Sequence, residues 1–323
     1  MSSSPPEDAQ APAWLKRSAV PLPFTTDDKQ AMTRHARWTS YWQAAPLAAV
    51  LLLFFALPLV VTFIVSFWSY TGYSIEPDFI YDNYRDAFDR CIVSLPDLCT
   101  TFRTYLSTLR FCLAVWLLTL VIGFTIAYYL TFEIRTATAR LVLALLCTIP
   151  FWTSNVIRMI SWVPLLGRNG LVNQALVGAG IVDQPLDWLL YSNFSVLLAF
   201  VHLNTVFMIV PIANSMSRID KSLVEAARDA GATGWQILMH IIIPLSKTGI
   251  AIGSIFVITV VMGDFITIGI MGGQQIASAG KVIQTQIGAL QFPIAAANAV
   301  VLLAVVLMII ATLIRFIDIR REL

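Results

Sequence analysis

Charge is what this sequence has least of. Only 12% of its 323 residues are Asp, Glu, Lys or Arg, against roughly a quarter in an ordinary soluble domain. The formal net charge of +2 is too small for a chain that neutralises rows of phosphates, which excludes nucleic acid as a partner. Cysteine is scarce, four in all, and His35, His202 and His240 are scattered. No CxxC pair or His/Cys cluster marks a metal site, so none is expected. A phosphate-binding loop is missing too. The nearest approach, Ala279-Gly280-Lys281-Val282, has Gln275 where the first glycine is needed and no hydroxyl at Val282 for magnesium. H-E-x-x-H and G-x-S-x-G are absent, and no carboxylate pair stands in a catalytic setting, so no catalytic residue is expected and no cofactor is bound by this chain. The first forty or so residues are polar and proline-rich, without the apolar run and small-residue cleavage site of a removable signal.

Apolar residues fill the space that charge leaves, 58% of the chain. They come in runs of about twenty, the length that crosses a bilayer as helix. The reading is all-α and polytopic, with six transmembrane helices at about Pro46–Trp68, Tyr105–Phe132, Leu141–Val163, Phe194–Asn214, Gly249–Met271 and Pro293–Ile314. Three parts follow: a largely disordered N-terminal tail, 1–44; the membrane domain, 45–316, with a polar loop at about 215–247; and a short tail, 317–323. The tail at the start reads as a tether.

Between spans four and five lies a polar, helix-forming island, Ser222-Leu-Val-Glu225-Ala226-Ala227-Arg-Asp-Ala-Gly231, running on to Ile241-Ile-Ile-Pro244. Ser222 and Glu225 have the spacing of a capping box, and Gly231 falls where a helix ends at positive φ. The spacing predicts helix, tight turn, helix. The pattern E-A-A, three residues, G, nine residues, I-x-hydrophobic-P resembles the cytoplasmic loop of permease subunits of binding-protein-dependent ABC importers. Its usual ending, I-x-L-P, is here Ile241-Ile-Ile243-Pro244. The resemblance implies the type I ABC importer permease fold and a coupling helix that docks on an ATPase subunit. It gives Glu225 the ATPase contact, Ala226 and Ala227 a flat surface for close packing, Gly231 a tight exit, and Pro244 the end of the motif. It also implies the assembly: an ATPase dimer that uses ATP and magnesium, a second permease subunit, and a periplasmic solute-binding protein.

Lys and Arg concentrate in the N-terminal tail, the second loop, the docking loop (Arg218, Lys221, Arg228, Lys247) and the C-terminal tail. By the positive-inside rule this puts both termini and the docking loop in the cytoplasm of an inner-membrane protein. The acidic loop Ser69–Arg103 then faces the periplasm, whose oxidising conditions permit a disulfide between Cys91 and Cys99.

Polar groups inside spans are costly and usually face a cavity or a partner. Candidates for a solute path are Trp152 and Arg158 in span three, Asn204 in span four and Asp264 in span five. A buried carboxylate suits a cationic solute, and aromatic faces add attraction; alternatively Asp264 pairs with an arginine and stabilises the bundle. Leu146–Trp162, Asp220–Pro244 and Met262–Gln286 resemble the spermidine/putrescine branch of the permeases, which implies polyamine as solute. Some relatives carry a second acid five residues after the Asp264 position, where this chain has Gly269. The same branch takes up opine-like compounds, ferric iron, thiamine and phosphonates, so these stay open. A channel or secondary transporter would show repeats or paired broken helices, and no convincing repeat is present.

Overall fold

The computed structural model describes residues 43–72, 74–88, 99–134, 136–273 and 275–316. Most of the two tails and Cys91 lie outside the described residues; Cys99 is disulfide-bonded, while Cys112 and Cys147 are free thiols. The chain forms two compact units, Met1–Val61 and Thr62–Leu323. The described part of the first belongs to helix α1 (Gln43–Val65).

In the second unit, the end of α1 is fastened locally. Asn83 donates to the carbonyls of Ser66 and Trp68, each at 2.8 Å, and Phe67 stacks on Phe79 with ring centroids 4.8 Å apart. A small antiparallel hairpin, β1 (Ser69–Tyr70) with β2 (Ile75–Glu76), and helix α2 (Asp82–Ala87) complete this corner.

The core is three long helices: α3 (Thr100–Glu133), α7 (Asn193–Met216) and α9 (Gly234–Gly263). Helix α3 buries one stripe of mostly small residues: Thr104, Thr108, Cys112, Val115, Thr119, Gly123 and Ala127. Small side chains let helices approach where lipid supplies no hydrophobic drive. Hydroxyls on that stripe are satisfied by carbonyls four residues back, as Thr108 to Thr104 and Thr119 to Val115. Met208 is gripped between two glycines. A Cβ on Gly123 would lie 2.9 Å from the Met208 Cβ, and one on Gly253 would lie 2.8 Å from its sulfur.

Span three departs from the expected single helix over Leu141–Val163. Helix α4 (Ala137–Trp152) ends in a 3-10 turn, and the run Asn155–Gly178, containing α5 (Asn155–Leu166) and α6 (Leu171–Gly178), leaves it at 92°. Pro150 has no N–H for the helical ladder. Thr153 and Ser154 are extended, and the Pro150 carbonyl accepts from both the Thr153 N–H at 3.4 Å and the Thr153 hydroxyl at 2.9 Å.

Span five also differs. Its helix begins well before the expected Gly249: α9 runs unbroken from Gly234 past Pro244, with a π turn at Leu238–Ile242 that widens the ladder ahead of the proline. The helix stops instead at Gly263. Asp264 and Phe265 intervene before α10 (Ile266–Met271), so Met271 belongs to a separate short helix. Helices α11 (Ala279–Gly288) and α12 (Phe292–Phe316) pack on each other, joined by an Asn298–Gln286 side-chain bond of 3.1 Å. Among the described residues five helices are long and apolar enough to cross a membrane, six with the bent pair as one span.

Candidate functional site

The polar loop between spans four and five is helix α8 (Lys221–Asp229), a tight turn, and the first turns of α9. Its cap corrects the sequence reading. Asp220, not Ser222, is the N-cap, its carboxylate accepting from the Ser222 N–H at 3.0 Å. A carboxylate at a helix start gains from the dipole as well as the hydrogen bond. That bond, then one from the Ser222 hydroxyl, holds the exposed Asp220 carboxyl below the usual aspartate range. A depressed folded value means the cap is fully effective above the ordinary aspartate range and is lost as pH falls through the lowered one. Hydrogen-exchange protection of the Ser222 and Leu223 amides is therefore expected to persist through mildly acidic pH and fade only below it. Asp220→Asn is expected to remove that pH dependence.

Gly231 takes φ +85°. Its N–H bonds the Arg228 carbonyl and the Ala232 N–H bonds the Ala227 carbonyl, both at 2.9 Å, the paired bonds of a Schellman exit. Beyond the turn, Thr233 and Gln236 form a reciprocal capping box. Val224 and Ile237 are buried and anchor the loop. Glu225, Ala226, Gly231 and Pro244 are exposed, Ala227 half-buried. A concavity of about 410 Å³ lined by Gly231, Gln236 and His240 adjoins them. The geometry is a rigid, mostly small-residue ledge with one acid on it and an adjacent hollow.

The four path candidates do not converge. Trp152, 83% exposed, sits at the elbow of the bent pair. Arg158 lines a cavity of about 350 Å³ with Thr153, Ser161, Trp162 and His202. Asn204 is 1% exposed in the bundle interior, its amide donating to the Phe200 carbonyl at 2.8 Å. Asp264 stands at the α9–α10 break, where its carboxylate accepts from the Thr267 N–H at 2.9 Å and the Thr267 hydroxyl at 2.6 Å. Among the described residues it has no ion pair, so the arginine partner considered from sequence is not found within them. Close by, the Lys281 ammonium lies 3.5 Å from where a side chain on Gly269 would begin.

Sequence reading missed an aromatic row. Phe151 meets Phe207 edge-on at 5.6 Å, and Phe207 stacks on Phe256 at 6.2 Å. Toward the docking loop the same faces of α7 and α9 line a cavity of about 600 Å³ that includes Asn214, Arg218 and Thr248. The available signal was Phe207 and Asn214 on one face of span four, with Arg218 continuing the helical spacing just past its end. Together the Phe207 and Phe256 rings and this cavity make one open, partly polar face of α7 and α9 on an otherwise apolar bundle. Among the described residues no group of three or more His, Cys, Asp or Glu can hold a metal.

Residues 111–320 match the family described as binding-protein-dependent transport system inner membrane component. The spermidine/putrescine transport system permease protein PotB of Escherichia coli (strain K12) is 32% identical over 225 residues, covering 69% of this chain and 78% of that protein. PotB of Salmonella typhimurium (strain SL1344) is equally similar, with 74% of that protein covered. The inner membrane ABC transporter permease protein YdcU of Escherichia coli (strain K12) is 27% identical over 239 residues, covering 69% of this chain and 72% of that protein. Among solved structures, a bacterial ABC transporter involved in the import of the acidic polysaccharide alginate superposes with a TM-score of 0.66, at 17% identity, over 89% of this chain and 98% of that one.

Proposed function

The chain belongs to the binding-protein-dependent transport system inner membrane components, and from that premise we propose that it is one of two permease subunits of an ATP-driven polyamine importer. The observation carrying the solute class is its 32% identity, over 225 residues, to permeases of spermidine/putrescine transport systems. It is an inner-membrane component that does not itself perform the chemistry. In our reading ATP and magnesium are used by a pair of ATPase subunits beneath the docking loop. Glu225, Ala226 and Ala227 meet them, Gly231 fixes the exit of the helix, and Pro244 carries the motion into α9. Both termini lie in the cytoplasm. A periplasmic binding protein delivers the solute, and the second permease closes the open face of α7 and α9 into a path.

Co-purification with an ATPase and a second permease, together with uptake of labelled spermidine into vesicles driven by internal ATP, tests this. A binding protein from the same system that retains an opine-like compound, iron, thiamine or a phosphonate would overturn the polyamine assignment. Uptake without an ATPase would overturn the importer reading. Asp264 gives a finer test. Asp264→Asn keeps an acceptor for the Thr267 N–H but loses the charge that attracts a cation. The amount of assembled transporter is expected to stay near wild type while the KM for spermidine rises about tenfold, on the order of 1.4 kcal/mol. An unchanged KM would leave Asp264 as a helix cap alone.

A further inference from the structure

The Arg158 cavity holds donors that nothing in the chain satisfies. The guanidinium has one partner, Asn155, whose side-chain oxygen accepts from Nη2 at 2.5 Å. Nε and Nη1 are shielded from solvent and have no acceptor. The indole N–H of Trp162 donates to His202 Nδ1 at 3.1 Å; since an indole can only donate, the imidazole proton is on Nε2, one more donor at this wall. The Ser161 and Thr153 hydroxyl protons are committed to the Ile157 and Pro150 carbonyls. No carboxylate lines the cavity, and among the described residues Arg158 has no ion pair. A guanidinium with two shielded, unpartnered nitrogens in an apolar setting is best satisfied by an anion.

We propose that this cavity seats a carboxylate side chain carried by the second permease subunit, with Arg158 as its ion-pair partner and His202 as a further donor. The proposal rests on the reading of the chain as one of a pair of permeases. A polyamine is a cation and cannot fill the role. His202 lies on a long apolar helix and Arg158 on the second limb of the bent apolar pair, so a soluble anion would have to shed water to reach the shielded nitrogens, whereas an acid fixed on a neighbouring helix arrives already in place. Thr153 at the edge of the cavity is two positions from Phe151, one end of the aromatic row.

Arg158→Lys in the complete transporter, treated with a zero-length carbodiimide, supplies the test, because the reagent joins a lysine amine only to a carboxylate in contact with it. The expected product is a covalent dimer of this chain and the second permease, with the linked acid identified by peptide mass spectrometry; the wild-type arginine does not react. Linkage to an acid of this chain or to the binding protein, or no linkage in a complex that still contains both permeases, overturns the proposal and leaves the importer reading intact. Failure of any second permease to co-purify overturns both. In parallel, Arg158→Gln is expected to lower the yield of paired permeases at least about tenfold, with the thermal stability of this chain in detergent unchanged. Undiminished pairing in that variant, or recovery of pairing by anionic lipid alone, also overturns it.

Discussion

Gly231→Asp is expected to abolish most polyamine uptake while leaving the transporter inserted and assembled. The position has φ +85° and open space around it, with nothing within 4 Å of an added Cβ. Sterics at the side chain are therefore irrelevant, and backbone conformation decides. An ordinary L-residue at this φ costs about 1–2 kcal/mol, with Asp at the lower end because it visits the left-handed region occasionally, and a carboxylate at a helix C-terminus adds up to about 1 kcal/mol through the dipole. A total near 2 kcal/mol shifts the equilibrium against the Schellman exit roughly thirtyfold. The exit aims α8 relative to α9, so its loss disconnects the ledge from the helix that continues through the membrane. Gly231→Asn, which visits the left-handed region more readily and is uncharged, is expected to retain much of the activity, with Gly231→Ala between the two. ATPase activity and spermidine uptake measured on the same vesicles check the order. Equal loss in all three variants would remove backbone conformation as the cause, and wild-type uptake in the Asp variant would remove the role of the turn.

The largest effect on folding is expected at Gly249, where α9 crosses α7. A Cβ there would sit 2.5 Å from the Pro211 carbonyl oxygen, 2.6 Å from the Ser215 Cβ and 3.0 Å from the Ile212 Cα. Two of those three atoms are backbone, so the helices must separate to admit it. Gly249→Val should cost about 3 kcal/mol or more, at the upper end of overpacking effects, seen as loss of folded protein in detergent and a lower melting temperature. Gly253→Ala is milder, because its nearest neighbour is the Met208 sulfur at 2.8 Å, the end of a flexible side chain. Met208→Ala is expected to relieve Gly253→Ala, whereas Ser215→Ala does not rescue Gly249→Val, since the Pro211 carbonyl stays. Normal folding of Gly249→Val would show that the two helices are not held at this crossing.

Much of this molecule was readable before any coordinates. Hydropathy gave the apolar runs because partition into lipid is a sum over local residues. The helix-turn-helix of the polar loop and the positive φ of Gly231 were legible because caps and exits are set within a few positions. The errors fell where a local rule met a competing neighbour. Ser222 has the capping-box spacing, yet Asp220 two residues earlier offers a carboxylate to the Ser222 N–H. Pro244 was read as the end of the motif before a separate span, but the π turn at Leu238–Ile242 carries the helix through. Pro150 lies inside an apolar run long enough to cross, and the run bends by 92° just after it.

The sequence by itself determined that the chain is a helical membrane protein with a rigid polar loop, since length, hydropathy and turn chemistry act over short stretches. Only the tertiary structure decided that Arg158 faces His202 across 44 positions of sequence, that Phe151, Phe207 and Phe256 form one row, and that Asp264 caps a broken helix beside Lys281. Those relations depend on which faces of distant helices meet, and a sum over neighbours along the chain carries no information about that choice.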